Sequence, residues 1–297
     1  MDYVKPGQVL AAMVETGAAK ARLAPWPMFV RGFLGGAILG CATTLAFTAA
    51  VQTNVPIAGA LIFPVGFAMI VLLGLELVTG SFALTPLAVA KKRATAGQML
   101  ASFGWALLGH VAGCLVYAGL YSLTVSKMGL DPGNALAQAV VGASEAKTIA
   151  YKSMGAEGLL LVTVKAVLCN WMVTLGAVLA MSSSSTIGKI AAMWLPILTF
   201  FGQGFEHAVV NLFVIPAGMM LGADVTLADW WLWNQIPVLI GNFIGGLLLT
   251  GVMFQWAQRD SGPRPEAAAA APNPAENPPA GTAAGAPVGA AVGERGA

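Results

Sequence analysis

Phe200-Phe201-Gly202-Gln203-Gly204-Phe205-Glu206-His207-Ala208-Val209-Val210-Asn211 lies inside an otherwise apolar run from Ile190 to Leu221. Ala191 to Phe201 has the composition of half a membrane helix, Gly202 and Gly204 weaken it, and a second half runs from about His207 to Leu221. The pattern predicts a broken transmembrane helix. Backbone freed at membrane depth has no water to bond, so it persists only where protein covers it or it lines a polar cavity. A histidine beside a glutamate at that depth points to function.

The first half of the chain carries the same arrangement as Gly74-Leu75-Glu76-Leu77-Val78-Thr79-Gly80-Ser81. Gly74 and Glu76 correspond to Gly204 and Glu206, and Pro86 follows Glu76 by the same ten positions that separate Pro216 from Glu206. Further on, Gly109-His110-Val111-Ala112-Gly113 parallels Gly241-Asn242-Phe243-Ile244-Gly245. Paired interruptions in corresponding hydrophobic segments point to a transporter built from inverted repeats, with its binding site at the breaks.

Composition sets the class. Of 297 residues, 57% are hydrophobic and 9% charged, whereas charged residues make up roughly a quarter of a soluble domain. The chain is an integral membrane protein. A net charge of +2, with basic residues scattered and no aromatic interleaving, excludes the electrostatic footprint of nucleic-acid binding. Cys41, Cys114 and Cys169 fall inside hydrophobic runs without the close pairing of a zinc or redox site, so they are packing residues. No metal and no cofactor is expected.

A crossing takes roughly 20 residues of helix, and six segments meet that length: about Phe29 to Ala50, Ile57 to Ala90, Gln98 to Val125, Gly158 to Met181, Ile190 to Leu221 and Trp231 to Gln255. The second and fifth carry the breaks. Three helices per half is an odd number, so the repeats insert in opposite senses. The expected fold is an all-α membrane protein of six transmembrane helices in two inverted three-helix repeats. Residues 1–28 form an N-terminal amphipathic helix, 29–258 the pore domain, and 259–297 a disordered Ala/Pro/Gly-rich cytoplasmic tail with nothing to offset the entropy of ordering it. No signal peptide is read in the first thirty residues. Pro6 to Arg22 reads either as a helix lying on the membrane or as a cap packed on the end of the bundle.

Basic residues near the helix ends gather on one side, at Lys5, Lys20, Arg22 and Arg31, at Lys91, Lys92 and Arg93, at Lys189, and at Arg259 and Arg264. That bias predicts a multi-pass protein of the cell's inner membrane with both termini cytoplasmic. The long connection from Ser126 to Glu157 lies outside, and its Ser144-Glu145-Ala146-Lys147 segment is expected to form a short helix over the pore mouth.

His207 stands at the start of a half helix, whose free amides and dipole favour an anion. Imidazole titrates near neutral pH and can hand a proton to a weak-acid anion. Glu76 and Glu206 would repel an anion, so they are read as loop-stabilising carboxylates that accept unpaired amides. Thr79 offers a hydroxyl to an anion or to the imidazole. Lys165, inside the fourth helix, either concentrates anions near an entrance or snorkels to the interface. Asn170 and Asn211 donate to an anion or clamp the loops. His110, with no broken backbone beside it, reads as a packing and hydrogen-bonding residue between helices.

Together these residues resemble the formate/nitrite transporter family. The carrying motifs are Glu76-Leu77-Val78-Thr79-Gly80, Leu168-Cys169-Asn170-Trp171-Met172-Val173, Gly204-Phe205-Glu206-His207 with Asn211, and Ile236-Pro237-Val238 leading to Gly241-Asn242. The resemblance spans about Val30 to Trp256. It implies an aquaporin-like bundle, a homopentamer with one pore per subunit, and His207 facing Thr79 between two apolar constrictions. Phe63, Leu77, Val78, Val173 and Phe200 fall where the family has its constriction residues. Lys147 falls in a segment similar to the family's external Ala-Glu-Ala-Lys stretch, and Lys165 matches a basic residue of some nitrite-type members.

The chain departs from the commoner pattern at Val78 for phenylalanine, Gly202-Gln203 for two small residues, Ser81 for asparagine and His110 for asparagine, and its loop after Lys147 is longer. A smaller Val78 and a polar Gln203 imply tolerance of anions larger than formate.

The function this implies is a channel or proton-coupled transporter for small monovalent anions and protons, formate and nitrite first, with His207 protonating the anion. The same fold specialised for hydrosulfide, lactate, acetate or bicarbonate is the alternative. Readings from other classes are a membrane-embedded enzyme using His207 and Glu206 as an acid/base pair, which lacks a nucleophile or metal cluster, and a docking subunit. No enzymatic activity is expected.

Overall fold

Proline opens each of the first four helices, α1 (Pro6–Ala21), α2 (Pro25–Thr53), α3 (Pro56–Ile62) and α4 (Pro64–Leu72). Its ring presets a helical φ, and the amide it lacks would be unpaired in the first turn anyway. The chain continues through α5 (Val78–Ala90), α6 (Ala96–Val125), α7 (Ala135–Lys147), α8 (Ile149–Ser153), α9 (Ala156–Ala180), α10 (Thr186–Gly202) and α11 (Ala208–Met220). It ends in α12 (Leu227–Ala257), which contains π-helical stretches at Trp231–Gln235 and Gly245–Val252. The structure, a computed structural model, describes residues 2–259. Apart from Arg259, the tail expected over 259–297 lies outside the described residues.

Four helices, α2, α6, α9 and α12, are long and apolar enough to cross a membrane. Two further crossings are assembled from shorter apolar pieces, α3–α4–α5 and α10–α11. The second span is interrupted twice, which the sequence reading missed. Pro64 has no amide to continue the ladder, so Phe63 ends α3 and a new helix begins.

The two breaks end their first half helices alike. Gly74 and Gly204 both take a left-handed φ of +63°, and the next residue closes the helix in the same way: Leu75 N–H donates to Ile70 O at 3.0 Å, and Phe205 N–H to Phe200 O at 3.1 Å. This is a glycine C-cap that satisfies two otherwise orphaned carbonyl regions. An added Cβ would meet nothing within 4 Å at either glycine, so it is the backbone conformation that calls for glycine. Leu77 and His207 are then extended and start the second half helices.

Each half also begins with a short helix that carries a lysine in its last turn. α1 packs on α5 and α7 packs on α11. In α1, Val9 and Met13 are buried against Leu84, Leu87 and Val178, and before it Val4 N–H donates to Ser182 O at 2.8 Å and Ser184 N–H to Asp2 O at 2.9 Å. These contacts pack α1 on the bundle. On the other side, Ser144 of α7 donates to Ile215 O at 3.2 Å.

The core gathers around the breaks, with Phe63, Phe67, Val78, Val173, Ile197, Phe200 and Phe213 buried together. Large apolar side chains are instead exposed along the outer faces of the long helices, among them Leu45, Leu108, Leu120, Leu160 and Leu248. An exposed face this apolar is what lipid or a neighbouring subunit covers.

Candidate functional site

The two breaks meet at Thr79 and His207, whose Oγ1 and Nε2 lie 2.9 Å apart. Both side chains are buried. His207 is the N-cap of α11, and Val210 N–H donates to its Nδ1 at 3.2 Å. A nitrogen that accepts carries no proton, so in the neutral ring the proton sits on Nε2 and is donated to Thr79 Oγ1. The threonine hydrogen is then directed elsewhere. Phe200 stacks on the imidazole with centroids 5.6 Å apart. Phe63 meets Phe200 edge-on at 5.7 Å and stacks on Phe201 at 3.9 Å, while Leu77, Val78 and Val173 are buried in the same cluster. Phe201 was absent from the sequence-derived set. Only its neighbour was singled out, although the two adjacent rings both reach Phe63.

His110 is buried and hydrogen-bonds between helices as expected, but broken backbone does lie beside it. Val78 N–H, the first free amide after the first break, donates to His110 Nε2 at 3.0 Å, and the ring's Nδ1–H donates to Gly32 O at 2.7 Å. The other half does this with an amide: Ala208 N–H donates to Asn242 Oδ1 at 2.9 Å, and Asn242 Nδ2 donates to Ala166 O at 2.8 Å and Glu206 O at 2.9 Å. α6 and α12 therefore each send one side chain to cap a break. The parallel between Gly109-His110 and Gly241-Asn242 was visible in the sequence, and its purpose was not.

Asn170 and Asn211 are clamps. Asn170 Nδ2 donates to Thr79 O at 3.0 Å and Asn242 O at 2.6 Å; Asn211 Nδ2 donates to Glu206 Oε2 at 2.8 Å and Asn234 Oδ1 at 2.7 Å. A primary amide has two N–H bonds, and both are spent on protein in each case. What remains is a buried Oδ1 with no partner among the described residues, which repels an anion. Of the two roles expected for these asparagines, donation to an anion or clamping of the loops, these bonds are those of the clamp.

The carboxylates are also held differently from the sequence expectation. Glu76 receives Lys20 Nζ at 2.9 Å and the Ser81 hydroxyl. Glu206 receives Lys147 Nζ at 2.9 Å, Asn211, Asn234 at 3.3 Å and Tyr151 Oη at 2.9 Å. Ammonium groups, not loop amides, face them, because the lysines ending α1 and α7 arrive from outside each break. A buried carboxylate needs such a partner. Lys165 donates to Tyr151 Oη at 3.2 Å. Asn234, Gln235 and Tyr151 were missed, although two adjacent polar residues in an apolar span were a readable signal.

On the Lys20 side a cavity of about 630 Å³ is lined by Lys20, Arg31 and Lys189 with a single carboxylate, Glu76. Three cations facing one carboxylate favour an anion there.

A family model described as formate/nitrite transporter matches residues 7–256. Among curated relatives, the formate channel BtFdhC of Bacillus thuringiensis is 32% identical over 86% of this chain and 95% of its own length. The uncharacterized transporter YrhG of Bacillus subtilis is 31% identical over 86% and 93%. The formate channel FocA of Escherichia coli K12 is 27% identical over 85% and 94%. A solved structure of an FNT family ion channel superposes with a TM-score of 0.74 at 26% identity, covering 84% of this chain and 98% of that one. Another, a pentameric formate channel with formate bound, gives 0.65 at 21%, covering 80% and 98%, and shows the shared fold.

Proposed function

The chain belongs to the formate/nitrite transporter family, and from that premise we propose that His207 and Thr79 pass a proton to a small monovalent anion while it crosses the two breaks. Anion transport of the formate/nitrite channel type is the activity of this multi-pass membrane protein. The observation that carries the finer reading is the 2.9 Å contact between Thr79 Oγ1 and His207 Nε2 amid buried aromatic and aliphatic side chains. A bare anion loses its hydration in such surroundings at a cost of several kcal/mol, and its neutral acid does not.

The hydrogen bonds support one form of the histidine as the donor. A neutral imidazole that gave up its Nε2 proton would become an anion, so the donor is an imidazolium. Forming it requires Nδ1 to release Val210 N–H and take a proton. The imidazolium Nε2–H then passes to Thr79 Oγ1 as the threonine hydroxyl gives its own proton to the anion. Neutral acid and neutral imidazole remain.

Formate is the leading substrate, on the names of the relatives, with nitrite next and hydrosulfide, lactate, acetate and bicarbonate behind them. Both termini face the cytoplasm in this reading, on the distribution of Lys and Arg. The assembly is a homopentamer, by likeness to the structural neighbour that is a pentameric formate channel. Residues 1–28 act as a cap on the 29–258 pore domain, and 259–297 as a tail.

The test is formate influx into proteoliposomes under an imposed pH gradient, comparing the wild type with His207→Ala. Wild-type influx that follows the pH gradient, and a folded His207→Ala protein whose flux no longer does, are expected. Equal dependence on the gradient in both would overturn the relay.

A further inference from the structure

The two carboxylates at the breaks are not held alike. Lys20 contacts both oxygens of Glu76, at 2.9 and 3.1 Å. Lys147 meets only Oε2 of Glu206, and Oε1 accepts from the Tyr151 hydroxyl at 2.9 Å. Tyr151 is pressed into place: a Cβ on Gly158 would lie 2.0 Å from Tyr151 O, so the start of α9 can sit against α8 only without a side chain there. The residue is 5% exposed. Burial, and then the charge of Glu206, raise its pKa, so the phenol keeps its proton and remains a donor.

The phenol oxygen also accepts, from Lys165 Nζ at 3.2 Å, and that ammonium lies 5.8 Å from the ring centroid. Among the described residues no carboxylate pairs with Lys165. Around Glu206 there are thus two ammonium groups for one carboxylate, and Lys165 has donors to spare beyond the one given to Tyr151. In the other repeat the equivalent of Lys165 is Arg31, one residue before Gly32 as Lys165 is one before Ala166, the two carbonyls that His110 and Asn242 hold. No tyrosine bridge from Arg31 to Glu76 is present among the described residues.

We propose that Tyr151 is a positioning residue for anion capture at the α7–α8 mouth, where by donating to Glu206 and accepting from Lys165 it holds the Lys165 ammonium ready for a small monovalent carboxylate. This rests on the transport reading above. Without the phenol oxygen, a flexible lysine stem is free to turn its charge toward bulk water or headgroups, and the mouth keeps its net charge while losing its geometry.

The experiment is a double-mutant cycle on formate influx, at low ionic strength, with Tyr151→Phe, Lys165→Met and both together in the full chain. Phenylalanine keeps the ring that packs on α9, and elution at the wild-type oligomer size confirms assembly of each variant. Losing one hydrogen bond of this kind should raise KM about three- to tenfold with kcat kept. Tyr151→Phe should add nothing in the Lys165→Met background. Both single variants should also flatten the rise of KM with salt, which a purely structural role for Tyr151 leaves unchanged. An unaltered KM in Tyr151→Phe, or an equal effect with and without Lys165, overturns the proposal while wild-type flux stands. Wild-type vesicles no faster than empty ones would instead remove the transport reading beneath it.

Discussion

At His207 and the residues that cap the breaks, function and stability draw on the same few hydrogen bonds. Asn242 bonds Ala208 N–H, Ala166 O and Glu206 O at once; Ala166 lies inside α9 and its carbonyl keeps a helical partner, so Asn242→Ala leaves two buried backbone groups unpaired. A loss of roughly 2 kcal/mol follows from about 1 kcal/mol or more per orphaned group, read as a lower unfolding temperature in detergent. His110→Asn should cost under about 1 kcal/mol, because an amide does the equivalent work in the other half; a loss as large as that of His110→Ala would deny the equivalence. Val78 raises a question of substrate size. It is buried beside the Thr79–His207 pair, and Val78→Phe should cut lactate flux far more than formate flux, whereas parallel losses would mean that this position does not select by size. These residues were legible in the sequence as polar groups in apolar runs, but their partners were not. Asn170 clamps a carbonyl 91 positions away, and only the packed bundle shows that its donors are already spent.

The broken helices were readable because their chemistry is local. A glycine that ends a helix in a left-handed turn, followed two residues on by a carboxylate, recurs with the same spacing, and the structure gives both glycines the same φ of +63°. Gly74→Ala and Gly204→Ala should each cost about 1 kcal/mol from that conformation alone, with no steric term because the Cβ directions are open. Thermal unfolding of the two variants checks this, and markedly unequal losses would mean that the breaks are not equivalent. The short helix before each set of three was expected from the sequence; what it did not disclose is where their lysines go. α1 and α7 share no obvious motif beyond a lysine in the last turn, yet Lys20 and Lys147 each pair with the carboxylate of a break. The Phe63 kink and the π-helical stretches of α12 were hidden for a related reason. Hydrophobic periodicity registers the length of an apolar run and says little about a change of winding within it.

Across the molecule, charge and apolarity alternate along the path. The cavity on the Lys20 side offers three cations to an anion in about 630 Å³, the Lys147 side adds Lys165 beside Tyr151, and between them the Phe63, Phe200 and Val173 cluster is apolar. On the proposed route the charged ends favour the anion and the apolar middle favours the neutral acid, so a proton would join and leave between them. Transport by this route moves no net charge per cycle when the proton travels with the anion. Formate uptake should accordingly respond to an imposed pH gradient and be indifferent to a membrane potential set by potassium and valinomycin at constant pH. A moving elementary charge would feel about 2.3 kcal/mol per 100 mV, which biases a flux by more than an order of magnitude and is easily resolved. Uptake that tracks the potential would mean that the anion crosses the apolar cluster unprotonated, and the pairing of Thr79 with His207 would then serve to hold the breaks together and not to move protons.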